Sequence, residues 1–309
     1  MRVSIIIVTR DRAADLLKTL QAMRQVALVD GLETELLVVD NGSSDGTADV
    51  VRGCGAVGIS LRYTYEPLAG QVIGRNRGLA ETTGEMILFT DDDVRPPADW
   101  LSRMCEPMAQ GRADAVCGGV MLAPHLTRPW MTPLHRSWLA STEWITPGEV
   151  RSMVGANMAF SRRVLQRVPC FDPELGPGAA GFGDDGLFAS QLLAAGYRIH
   201  DGLDVRVEHH CEASRLQRES WLTAAEKRGN SHAYRGHHWE HWRCRFGRMK
   251  VLRAQANLAV WRSRNGDRFH PEGCEWEEMD LVFELALARA HLKESTRARN
   301  YERQGLMKL

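Results

Sequence analysis

A chain of 309 residues, 44% hydrophobic and 25% charged, with 39 basic and 39 acidic side chains, fits one large α/β domain with an appendage and a sizeable core. No apolar run approaches the roughly eighteen residues of a membrane span, the amino terminus has no signal-peptide layout, and the seven cysteines form no CxxC pair; the expectation is a cytosolic protein with reduced thiols. Residues 215–309 hold 19 basic and 12 acidic side chains, leaving 20 against 27 before them. An acidic body argues against nucleic acid as a partner, whereas the basic end suits an anionic partner or the surface of a membrane.

The run Val3 to Val8 is β-branched and continuous, as in a strand buried on both faces of a parallel sheet. Thr9-Arg10-Asp11-Arg12 follows, and Leu16, Leu17, Leu20 and Met23 then recur at helical spacing. Leu36 to Val39 predicts a second strand. It ends in the turn residues Asp40-Asn41-Gly42-Ser43-Ser44-Asp45-Gly46, with Thr47 placed to cap a helix. Leu61 to Tyr65 predicts a third strand, a helix starts at Gly74, and Met86 to Phe89 predicts a fourth strand. Asp91-Asp92-Asp93 comes directly after it, and Arg95-Pro96-Pro97 stops regular structure. Alternating strands and helices point to a layered α/β sheet, in which ligands sit outside the carboxyl ends of the strands. The polar tips Thr9 to Asp11, Asp40-Asn41 and Asp91 to Asp93 all fall at such ends. Three adjacent carboxylates repel one another, and a divalent cation removes that cost, being a hard ion suited to oxygen ligands. No GxGxxG or Walker pattern marks the first turn.

In their order, "IIIVTRDR", "LLVVDNGSSDGT", "GRNRGL" and "GEMILFTDDDV" resemble the nucleotide-binding half of the family-2 glycosyltransferases. Val39 to Thr47 matches that family's second string almost letter for letter, while Arg10-Asp11-Arg12 departs from its usual first turn. The resemblance implies a GT-A fold, three layers around a mostly parallel, mixed sheet. It also implies a metal-dependent, inverting enzyme using a nucleotide-diphosphate sugar, most often a UDP-sugar. Asp40 would bind the base, with Thr9 near it and Arg10 and Asp11 in the same turn. Arg75 would approach the base or a phosphate, Asp91 with Asp92 would face the ribose, and Asp93 would hold Mn²⁺ or Mg²⁺ on the diphosphate. An Asx-turn at Asp40 and a solvated helix position at Arg75 are the plain alternatives.

Further along, Asp99 is placed to cap a helix from Trp100, and Ala115 to Val120 predicts a strand. Residues 123–149 are rich in proline, carry Trp130, Trp138 and Trp144, and show little periodicity, as a functional loop would. An exposed tryptophan stacks well on a sugar, which makes Trp144 an acceptor candidate. Val154 to Arg162 resembles the family's acceptor-side strand, with Gly155 and Asn157 facing the donor sugar. A glycine-rich segment, Gly176 to Gly186, includes Gly183 as a second acceptor candidate and Asp184-Asp185 at the start of a helix. A carboxylate at a helix amino terminus stays ionised and would serve as general base. This chemistry and the resemblance together assign that task to Asp185, with Asp184 as a supporting ligand or the alternative base. Val205 to His210 predicts a strand ending in two histidines, and the resemblance expects one as a metal ligand, His210 before His209.

Beyond residue 214 the pattern is helical. The His-, Trp- and Arg-dense stretch from His237 to Arg245 suits a membrane surface, or packing within the protein. Met279 to Leu292 predicts an amphipathic helix, and Glu294 to Leu309 a charged, fraying end. The domain boundaries expected are 1–214 for the GT-A domain, with halves 1–95 and 96–214, and 215–309 for a helical basic extension. The acceptor would be a glycan or lipid-linked glycan, and a homo-oligomer is compatible with this. Two rivals are an inactive nucleotide-sugar-binding protein, which has no need of Asp184-Asp185, and a nucleotidyltransferase, which usually has a glycine-rich first turn.

Overall fold

The computed structural model describes residues 1–55, 58–266 and 271–309. The chain separates into two compact units. The first comprises 1–127, 131–173 and 185–211, and the second comprises 128–130, 174–184 and 212–309.

The first unit is built on a mixed sheet. Its strands are β1 (Arg2–Thr9), β2 (Glu33–Asp40), β3 (Ser60–Tyr65), β4 (Met86–Asp91), β5 (Val94–Arg95), β6 (Ala115–Leu122), β7 (Asn157–Ser161) and β8 (Ile199–His209). Their order is β3-β2-β1-β4-β7-β6-β8-β5. β3, β2, β1 and β4 run parallel, and β7 returns antiparallel against both β4 and β6. The helices between the strands are α1 (Ala13–Met23), α2 (Thr47–Gly53), α3 (Gln71–Glu81), α4 (Trp100–Ala109), α5 (Pro133–Trp138) and α6 (Asp184–Ala194).

The continuous apolar strands arise because both sheet faces are covered. Side chains alternate along a strand. Ile5, Ile7, Leu36, Val38 and Leu88 enter one core with Leu16, Leu20, Trp100 and Met104. Phe89 lies on the other face, in an aromatic cluster with Phe160, Phe171 and Phe188. Glycine spacing sets how closely α3 approaches β1. A Cβ on Gly74 would lie 2.5 Å from Val8, and one on Gly78 2.6 Å from Ile6. The glycine of the Arg75-Asn76-Arg77-Gly78 string is therefore a packing requirement. Asn76 makes paired hydrogen bonds with the backbone of Phe171, each 2.9 Å, as a strand neighbour would.

Local signals differ from expectation in three places. Thr47 is the first residue of α2 and does not cap it; Asp45 Oδ1 accepts from the Thr47 amide at 3.0 Å. Asp99 precedes α4 without a capping hydrogen bond and pairs with Arg103 at 3.4 Å. The stretch 123–149 contains α5, closed by a capping box between Thr132 and His135, and Trp138 is buried there while Trp144 stays exposed.

The second unit contains α7 (Arg218–His238), α8 (Gly247–Asn265) and α9 (Trp276–Glu294). α7 and α9 meet at Gly229, where a Cβ would lie 2.6 Å from the Phe283 carbonyl oxygen. The buried Glu278 carboxylate holds Arg218 at 2.7 Å and Arg262 at 2.9 Å. His237, His238 and Trp239 are buried within this unit, so the first part of this stretch serves packing, while Trp242, Arg243 and Arg245 are exposed. The chain end does not fray as expected: Tyr301 is buried, and Arg297, Asn300 and Lys308 converge on Glu174 at 2.6, 2.7 and 2.8 Å.

Candidate active site

The three acids stand at the carboxyl end of β4, the last strand of the parallel run, beside the ends of β1 and β8. Like charges at this spacing need answering charges, and the first turn supplies one. Arg12, just before α1, reaches Asp92 Oδ1 at 3.0 Å and Asp93 Oδ2 at 2.9 Å. Thr9 at the tip of β1 donates to Asp92 Oδ2 at 2.6 Å. Arg75, buried in α3, approaches Asp91 at 3.7 Å, its guanidinium about 6 Å above the rings of Phe89 and Phe171. It has room only because residue 155 is glycine; a Cβ there would lie 1.9 Å from its Nη2. The solvated alternative for Arg75 is thus overturned.

His209 completes the cluster. The acids Asp91 and Asp93 and the His209 ring each offer an atom within 4.8 Å of the others. Nδ1 of His209 lies 2.8 Å from the Leu139 carbonyl, which only accepts, so Nδ1 carries the proton. Nε2 then faces Asp93 Oδ1 at 3.2 Å, and that oxygen is buried without a hydrogen-bond donor. Two lone pairs held this close call for a cation, whether a second proton on the imidazole or a metal ion. Carboxylate oxygens with an imidazole whose other nitrogen is fixed by a carbonyl suit a divalent ion such as Mn²⁺. The expected preference for His210 is corrected. His210 is partly exposed, pairs with Glu208 at 3.2 Å and stacks against His125. Alternation along β8 turns it away from the acids.

Burial dominates the titration of these groups. It pushes the Asp92 carboxyl up to about 7 against the pull of Arg12, and it raises Asp91 despite Arg75. Burial would raise Asp93 too, but a doubly protonated His209, through its charge and the hydrogen bond it would then donate, and Arg12 beside it outweigh burial and hold that carboxyl well below the usual range.

The remaining candidates divide. Asp40 is buried, with Oδ1 accepting from the Ser43 amide at 2.8 Å and Oδ2 from the Tyr63 hydroxyl at 2.7 Å. Burial and that bond push the Tyr63 hydroxyl up to about 12. The Asx-type turn is therefore present, and both oxygens are engaged. Asp11 has a positive φ and accepts from the Ser44 amide at 2.7 Å, clipping the first two turns together, and Arg10 beside it is exposed. Asn157 is corrected. It is fully buried, donates to the Gly119 and Val205 carbonyls at 2.8 and 2.9 Å, and accepts from Trp100 Nε1 at 2.8 Å. Its amide is a structural post, spent on the protein.

Asp185 lies in the first turn of α6. Its Oδ2 accepts from the Gly155 amide at 2.9 Å and its Oδ1 from the Gly186 amide at 2.7 Å. Gly155 also touches Arg75, so a short path, Asp91 to Arg75 to Gly155 to Asp185, joins the acids at β4 to this helix terminus. Asp184 is buried. Gly183 has a positive φ of 86° and Trp144 is 48% exposed. Arg12 was missed in the sequence, although three adjacent acids needed a counter-charge and this arginine follows the neighbouring strand.

The family model for "Glycosyl transferase family 2" matches residues 4–168. The chain is 32% identical to glycosyltransferase AglE of Haloferax volcanii over 119 residues, 38% of this chain and 39% of that protein. It is 26% identical over 166 residues to the glucosyl-dolichyl phosphate glucuronosyltransferase of the same organism, 52% and 50% of the two chains. It thus spans two-fifths to half of the length of these relatives. Among solved structures, the mannosyltransferase PcManGT of Pyrobaculum calidifontis, in complex with GDP-Man and Mn²⁺, aligns with a TM-score of 0.57 at 19% identity, over 96% of this chain and 75% of that one. TarS 1–349 of S. aureus, in complex with UDP, aligns at 0.53 and 14% identity, over 98% and 93%. The fold is GT-A, as the sequence motifs implied. With more than half of its residues matched by the family model and this fold around its acids, the chain belongs to glycosyl transferase family 2.

Proposed function

We propose that the chain transfers a sugar from a nucleotide-diphosphate donor, a UDP-sugar, to a hydroxyl of a glycan or lipid-linked glycan, with inversion and with Mn²⁺ or Mg²⁺. The observation that carries this is the gathering of Asp91, Asp93 and His209 at the end of β4. The Mn²⁺ and GDP-Man of the mannosyltransferase neighbour and the lipid-phosphate name of the glucuronosyltransferase relative support it. Asp91, Asp93 and His209 would hold the ion, which when bound offsets charge on the departing diphosphate. Thr9, Arg12 and Arg75 hold the acids in place, and Arg10 and Asp11 line the turn where the nucleotide enters.

Asp185 is the general base. Two backbone amides, those of Gly155 and Gly186, fix its oxygens. In the step proposed, the acceptor oxygen attacks the anomeric carbon from the far side as its proton passes to Asp185. The bond from that carbon to the diphosphate oxygen breaks, and its electron pair leaves with the nucleotide. Trp144, exposed on the same unit as Asp185, would meet the acceptor.

Thermal unfolding with UDP, GDP, dTDP and CMP, each with and without Mn²⁺, tests the reading. A ligand at a hundred times its dissociation constant adds about 2.7 kcal/mol. A Mn²⁺-dependent shift with one diphosphate is expected, and no shift with any of them would sink the proposal. Asp185→Asn should keep that shift while transfer falls about a hundred- to ten-thousandfold; unimpaired transfer would remove Asp185 from the role.

A further inference from the structure

α8 has two apolar stripes. Val251, Ala254, Leu258 and Trp261 recur at helical spacing and turn inward, with Ala254 and Leu258 buried. The opposite face carries Met249, Leu252, Ala256 and Val260 at the same spacing, with Phe246 just before the helix. These stand in solvent: Phe246 is 75% exposed, Leu252 67%, Met249 66% and Val260 48%. Three large apolar side chains along one exposed helix face, with Phe246 at its start, form a patch that solvent disfavours.

Charge identifies what covers it. Residues 241–266 contain Arg243, Arg245, Arg248, Lys250, Arg253, Arg262 and Arg264 and no acidic residue. Arg262 is paired with Glu278. Arg248, Lys250, Arg253 and Arg264 are exposed and flank the outer stripe. Their long stems let the charges rise beside a patch that sinks inward. A second copy on this face would set two cationic stripes against each other. A nucleic acid would meet the cations and leave the aliphatic side chains unused.

We propose that α8 lies on an anionic lipid bilayer, its outer stripe in the headgroup boundary and its cations on lipid phosphates. No described helix is long and apolar enough to cross a membrane, so the contact is superficial. This surface is independent of the donor, the acceptor and the transfer chemistry. It also relocates the sequence-based expectation of a membrane face, since His237, His238 and Trp239 are buried.

Flotation of the full chain tests this with phosphatidylcholine vesicles and with vesicles of equal parts phosphatidylcholine and phosphatidylglycerol. Binding is expected only to the anionic vesicles, weakening as salt rises. Met249→Ser with Leu252→Ser and Val260→Ser should lower the partition coefficient at least about tenfold. Arg248→Glu with Arg253→Glu should lower it about thirtyfold, at roughly fivefold per cation lost. Both variants change exposed positions and should keep the parent melting temperature. Absence of binding at low salt, equal binding to neutral vesicles, or partition unmoved by either variant would overturn the proposal. So would a dimer in sedimentation that the serine variant dissolves while vesicle binding stays absent.

Discussion

At the end of β4 three carboxylates, Asp91, Asp92 and Asp93, share ion pairs with Arg12 and Arg75. In the helical unit a single carboxylate, Glu278, is gripped by Arg218 and Arg262, and another, Glu174, by Arg297 and Lys308. The first arrangement leaves negative charge in excess and keeps Asp91 a quarter accessible. The second leaves none, because each acid already has two cations. A carboxylate with its charge answered is a weld, and a cluster with carboxylates to spare is a seat for an incoming cation. The same residue types thus do opposite work, and the count of neighbours separates the roles better than burial does.

The comparison breaks most visibly at Asp93. Asp93→Ala should abolish Mn²⁺-linked nucleotide binding and cost about a thousandfold in transfer, read by titration calorimetry with and without Mn²⁺. Unchanged metal-linked affinity would make the acids at β4 a weld like the others. Glu278→Ala should instead cost about 2–3 kcal/mol of stability, below the full penalty for a broken buried pair because Arg262 can return to water, and Mn²⁺ should not alter that loss. Urea unfolding reads it; a variant as stable as the parent would show that this acid is not a weld. His209→Ala should weaken Mn²⁺ at least about tenfold, whereas His210→Ala should leave it within error. The reverse outcome would return the metal to the histidine the motif suggested.

The strands and their polar tips were legible because the signals are local. The runs Val3–Val8 and Leu36–Val39 need only two covered faces, and the acids at 91–93 follow a strand directly. The histidine choice was legible too, though the motif pointed elsewhere. In β8, Val205, Val207 and His209 are buried while Arg206 and Glu208 are exposed, so period-two alternation alone assigns His209 inward. Asn157 was not legible. Its partners Trp100, Gly119 and Val205 lie 38 to 57 residues away, and nothing near it in sequence announces them. α8 was ambiguous for a related reason: its sequence has two apolar stripes, and only tertiary packing decides which one turns inward. The fraying end failed because Arg297, Asn300 and Lys308 read as solvated until Glu174, more than a hundred residues earlier, is brought to them.

That last weld gives the smallest effect and a signature in pH. Burial alone would raise the Glu174 carboxyl, but hydrogen bonds from Lys308 and Arg297 outweigh it and hold the group at about 2, against 4.5 when unperturbed. A depressed carboxylate stabilises the fold fully above its unfolded value. As pH falls from about 4.5 toward 2, the unfolded chain takes up the proton first and the contribution is lost. Glu174 and Arg297 are 35% and 41% exposed, so screening by water limits the pair to about 1 kcal/mol or less. Glu174→Gln should therefore lower stability by about that much at pH 7 and by almost nothing near pH 2. The difference between variant and parent is the quantity to follow, since other carboxylates titrate equally in both. Because Glu174 lies two residues before the glycine-rich segment, its loss would loosen the start of that segment as well as the chain end. A stability gap that stayed constant from pH 7 to pH 2 would mean that Glu174 contributes through packing, and that its cations are bystanders.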